Sequence, residues 1–105
     1  LVNGVPGAYG AGDIVAGGYA LSVATPNPTF EAASFSYTMP TTENVRIVLT
    51  DLMGRELSVL VNENVNAGTH RVTVNASALN LTAGVYNVTL TSAGFVASQQ
   101  VVVVK

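Results

Sequence analysis

The sequence predicts an all-β fold, an immunoglobulin-like antiparallel β-sandwich of about seven strands. Three observations carry this: apolar and polar residues alternate in short runs, turn residues recur roughly every eight to twelve positions, and no segment keeps a helical period. The 105 residues suit a single domain, long enough to bury about two thirds of the surface its unfolded chain exposes. The Cys and Trp that usually mark such a core are absent, so a small Greek-key barrel is the competing architecture.

Residues 1–18 hold six glycines and no sustained period, and read as a linker or arm in which Tyr9, Ile14 and Val15 could dock locally. The sandwich is expected over 19–105. Its first strand runs 19–24, with Tyr19, Leu21 and Val23 alternating against Ala20, Ser22 and Ala24. Thr25-Pro26-Asn27-Pro28 ends it, because proline fixes φ and has no N–H to offer a ladder. In the second strand Ala33, Phe35, Tyr37 and Met39 share one face and Ala32, Ser34, Ser36 and Thr38 the other, up to Pro40. The third points Val45, Ile47 and Leu49 inward. Asp51-Leu52-Met53-Gly54-Arg55 reads as a hairpin loop in which Gly54 supplies a positive φ.

The fourth strand, 56–61, places Leu57, Val59 and Val61 on one side, and the polar run 62–68 reads as a turn. The fifth, 69–75, carries His70, Val72 and Val74 on a common face. Residues 76–82 form a loop with room for one helical turn. Ala83-Gly84 opens a sixth strand with Tyr86, Val88 and Leu90 inward, and Ser92-Ala93-Gly94 turns into a seventh, 95–104. Alternation fails over Val101, Val102, Val103 and Val104, so this stretch should be covered on both faces or held at an edge.

Composition narrows the function. Charged residues are 10% of the chain, the formal net charge is −2, and Arg46, Arg55, Arg71 and Lys105 are too scattered to track phosphates. Nucleic acid is not an expected partner. No run reaches the roughly 18 apolar residues a membrane helix needs. Absence of cysteine removes disulfides, thiolate metal sites and a cysteine nucleophile. The chain opens at Leu1 with neither Met nor a signal peptide, so it is expected to come from a longer precursor.

Little else suggests chemistry. His70 is the one histidine and reads as a hydrogen-bonded core or rim residue, since no second His or Cys completes a zinc shell. Asp13, Glu31, Glu43, Asp51, Glu56 and Glu63 show no acid–base spacing and read as solvated loop and edge charges. Asn62, Glu63, Asn64 and Asn66 lack the spacing of a calcium loop, and the glycines at 4, 7, 10 and 12 have no strand and helix around them to make a phosphate cradle. No catalytic residue, cofactor or metal is assigned.

The punctuation is nevertheless specific as an ordered set. Pro26, Asn27 and Pro28, then Tyr37-Thr38-Met39-Pro40, then Gly54 and Arg55 after Asp51, then Gly68, then Gly84, Val85 and Tyr86, then Gly94 and a terminal Lys105 resemble the type A C-terminal sorting domain of the type IX secretion system in Bacteroidetes and relatives. The resemblance covers roughly 19–105. Where members often carry a basic residue near the end, this chain has Gln99 and Gln100. It implies a non-enzymatic export address on a larger cargo, in transit through the periplasm and then at the cell surface or secreted. The implied partners are the translocon and a surface sortase that removes the domain by cutting the preceding linker. Val101, Val102, Val103, Val104 and Lys105 are the expected recognition segment, read by strand addition or capture of the terminus. The same apolar edge predicts strand-mediated homodimers at high concentration. A carbohydrate-binding or adhesive sandwich is the alternative function, and a passive spacer the third; Phe30, Tyr9 and Phe95 are the rings left for stacking sugars.

Overall fold

The computed structural model describes residues 13–104, which leaves Tyr9, the glycines at 4–12 and Lys105 outside the described residues. Among the described residues there are eight strands: β1 Ile14–Ala16, β2 Tyr19–Leu21, β3 Ala32–Met39, β4 Glu43–Asp51, β5 Glu56–Val65, β6 Gly68–Asn75, β7 Gly84–Ser92 and β8 Phe95–Val103. They form two antiparallel sheets in the orders β1-β2-β3-β6 and β5-β4-β7-β8. The links at 40–42, 66–67 and 76–83 each change sheet, so the chain weaves the two layers into one sandwich.

The period-2 alternation decides which side chains meet between the layers. Ala33, Phe35, Tyr37 and Met39 from β3 pack with Val45, Ile47 and Leu49 from β4, Tyr86, Val88 and Leu90 from β7, and Val101 and Val103 from β8. Full burial of one such side chain stabilises the fold by about 1.5–3 kcal/mol. The abundant hydroxyls pair across neighbouring strands: Ser34 with Thr73, Thr38 with Thr69 and Thr89 with Ser98, each at 2.9 Å.

The strand count reaches eight because Ile14, Val15 and Ala16 pair with Leu21, Ala20 and Tyr19. Gly17 and Gly18, at φ 60° and 87°, form the two-residue turn, a conformation in which a side chain would be strained. The first expected strand, 19–24, is correspondingly short. After Leu21 the ladder is interrupted as the Ser22 hydroxyl accepts the Ser36 N–H at 2.8 Å and Asp13 accepts the Val23 N–H at 2.7 Å.

The fourth expected strand differs more. β5 continues to Val65 as an edge strand opposite the start of β4, so Asn62, Glu63 and Asn64 belong to the ladder and not to a turn. Two register shifts within it, opposite Ile47/Val48 and Leu49/Thr50, are bulges that change which face each side chain occupies. Leu57 and Val59 are therefore 43% and 45% exposed, while Leu60 and Val61 pack on the core. In the 76–82 loop the Leu79 N–H reaches the Asn75 carbonyl at 3.1 Å, one helix-like turn that buries Ala76 and Leu81.

Candidate functional site

β8 is the outermost strand of its sheet, bonded on one side to β7 from Gly84↔Val103 to Ser92↔Phe95. Val101 and Val103 point into the core and are fully buried; Val102 and Val104 are half-buried. The backbone groups on the strand's other side face the segment between β2 and β3. There the Asn27 carboxamide accepts the Val102 N–H at 2.9 Å and donates to the Gln100 carbonyl at 3.1 Å. A side chain thus stands where the peptide unit of a neighbouring strand would be. Thr29 continues the seam with its backbone, donating to the Val102 carbonyl at 2.8 Å and accepting the Val104 N–H at 2.9 Å.

Sequence explains this arrangement locally. Pro26 and Pro28 have no N–H, so the segment cannot run a continuous ladder, and contact falls to the Asn27 side chain and the Thr29 backbone. Thr29 is itself buried and held by its hydroxyl, which donates to the Ala32 carbonyl at 2.6 Å. Thr25–Pro26 and Asn27–Pro28 are cis. Gln99 adds a second tie, its side-chain amide donating to the Leu21 carbonyl at 3.1 Å. Each neutral bond of this kind contributes about 0.5–1.5 kcal/mol net.

Two other motifs meet at one groove of about 540 Å³, lined by Leu52, Met53 and Leu57 on one side and Leu79, Val85 and Tyr86 on the other. One wall is the 51–55 hairpin. Asp51 accepts the N–H groups of Met53 and Arg55 at 2.9 and 3.0 Å and the Arg55 guanidinium at 2.8 Å, while Gly54, at φ 85°, turns the chain. Burial alone would raise the Asp51 pKa, but the Arg55 N–H and guanidinium and the Met53 N–H together hold it below its ordinary value. The other wall is Tyr86 near the start of β7, whose hydroxyl donates to the Thr82 carbonyl at 2.7 Å. This is the tyrosine corner of immunoglobulin-like sandwiches.

The family described as the secretion system C-terminal sorting domain matches this chain over residues 24–105. The chain belongs to the type IX secretion C-terminal sorting domain family. No curated protein matches it. A sorting domain of this family acts as a C-terminal signal for type IX secretion, engages the secretion machinery, and accompanies a protein exported to the cell surface or secreted. The family is not an enzyme family.

Within the sorting domain the other motif glycines serve strand reversals, Gly68 entering β6 opposite Met39 and Gly94 in the β7–β8 turn. Sequence reading missed a carboxylate hub near that end. Glu43 accepts the Tyr19 hydroxyl at 2.8 and 2.7 Å, the Ser92 hydroxyl at 2.8 Å and the Thr41 hydroxyl, joining β2, the 40–42 link and the end of β7. Tyr19 also stacks on Phe95 with ring centroids 4.7 Å apart. The Thr41, Tyr19 and Ser92 hydroxyls lower the Glu43 pKa against a smaller opposing effect of burial. Glu43 and Asp51 are thus structural acceptors, not merely solvated charges. Nothing in the spacing around Glu43 signals this, whereas Asp51 three residues before Gly54 is a readable hairpin signature.

His70 sits at the rim of the core, stacked on Tyr37 at 5.4 Å with Nε2 2.7 Å from the Asn66 carbonyl. Among the described residues no three His, Asp or Glu converge. Phe95 is buried and Phe30, at 71% exposure, is the one strongly exposed aromatic ring among them.

Proposed function

We propose that this domain is the export address of a larger cargo, recognised by the type IX translocon through residues 101–105 after transit through the periplasm. A surface sortase then separates it from the cargo by cutting within 1–18. The observation that best supports the recognition segment is the division of labour in β8. Val101 and Val103 fix the strand in the core, while Val102 and Val104 place backbone groups on its outer edge, where a strand-reading partner meets them. Pairing of two copies through β8 draws on that same edge. A carbohydrate-binding reading finds no support in a single exposed ring.

The test joins residues 1–105 to a periplasm-directed fluorescent protein in a bacterium with type IX secretion. The second form carries a short flexible tail after Lys105, and in the third a Gly/Ser linker replaces 1–12, which leaves Asp13 and β1 in place. The intact fusion is expected at the surface or in the medium, the tailed form in the periplasm, and the third at the surface but uncut. Periplasmic retention of the intact fusion would remove the export reading. Export of the tailed form would remove the reading of the terminus, and normal cleavage of the third would move the cut site elsewhere.

A further inference from the structure

We propose that the 27–29 segment is a displaceable strap: it occupies the outer edge of β8 in the free domain and yields that edge to an extended strand of the secretion machinery. The proposal rests on the export reading above and names how the partner gains access.

The strap closes four backbone groups, the carbonyls of Gln100 and Val102 and the N–H groups of Val102 and Val104. It does so with two residues, one through an exposed side chain that competes with water. β8 has a second and longer hold on the sandwich: it pairs with β7 along its whole length, and its Val101 and Val103 are buried in the core. Lifting it leaves a formed strand with alternate donors and acceptors facing outward, the template that strand addition uses. The incoming partner needs a main chain presenting complementary groups at every second residue. Among the described residues Asn27, Gln100, Val102 and Val104 line this edge without charge, so main-chain pairing with an extended strand carries the fit.

Because the chain has no cysteine, the strap can be fixed shut. Thr29 and Val103 are bridge partners, and Thr29→Cys with Val103→Cys joins them covalently in the oxidising periplasm. In the fluorescent fusion the cross-linked domain is expected to fold yet stay in the periplasm, and reducing the disulfide is expected to release it for export. Equal export of the cross-linked form overturns displacement alone. Periplasmic retention of the intact fusion overturns the export reading and the partner with it. A second measurement covers variants that fail to fold: in Asn27→Ala of the full chain, hydrogen exchange at the Val102 amide should quicken about three- to tenfold while Val101 and Val103, bonded toward β7, keep their protection. Unchanged exchange at Val102, or loosening of all three amides together, overturns a separable strap. Concentration-dependent dimers of Asn27→Ala in sedimentation, with export lost, would assign the opened edge to a second copy and overturn the translocon strand as its occupant.

Discussion

The Tyr86 hydroxyl donates to the carbonyl of Thr82, four residues back along the chain, at 2.7 Å. It fixes the angle at which the 76–83 link enters β7. Tyr86→Phe keeps the buried ring and removes the donor, leaving a part-buried carbonyl without its partner. The expected cost is about 1–3 kcal/mol, read as a lower midpoint in urea with an unchanged m-value. A midpoint equal to wild type would show that water replaces the hydroxyl at no cost.

Gly18 and Gly54 have nearly the same φ, 87° and 85°, but different surroundings. A Cβ at Gly54 meets nothing within 4 Å, whereas one at Gly18 would sit 2.9 Å from the Pro40 Cβ. Gly54→Ala should therefore cost only the left-handed backbone penalty, about 1–2 kcal/mol, and Gly18→Ala more. Thermal unfolding of the two variants checks the order; equal losses would mean that Pro40 moves aside freely.

Acid should weaken the fold through Glu43. Its folded pKa lies below the ordinary 4.5, so its contribution is complete above that value and is lost as pH falls through the folded pKa. Glu43→Gln should flatten the fall in stability below about pH 4.5 without abolishing it, because Asp51 is depressed in the same direction from 3.8. Tyr19 behaves oppositely. Hydrogen bonding to Glu43, then burial and the Glu43 charge, raise its pKa above 10.0, so that contribution holds below pH 10 and fades as pH climbs through the folded value. Denaturation midpoints across the two ranges test both signs.

Truncation after Gln100 removes Val101 and Val103, both fully buried. At about 1.5–3 kcal/mol each, plus the lost β7 pairing, the damage is comparable with the roughly 5–15 kcal/mol that holds a whole domain together. Circular dichroism should show an unfolded chain. If the truncated domain stays folded, the end of β8 contributes far less to the core than its burial indicates.

Much of the sandwich is legible because one face of each strand is buried. Phe35, Tyr37, Ile47, Leu49, Val88 and Leu90 repeat every second residue, and that period alone assigns them inward. β5 is less legible, since two bulges change its phase and leave Leu57 and Val59 outside. The Gly17-Gly18 hairpin carries a readable signal, diluted by four more glycines upstream. The seam at β8 leaves no local trace: Asn27 and Val102 are 75 residues apart, and a side chain taking the place of a peptide unit has no periodicity.

β8 is the last strand of the sandwich to leave the ribosome, and it supplies both the final buried valines and the edge on which 27–29 rests. The two layers cannot close until Val103 has emerged, so this domain completes its fold after the rest of it has been made.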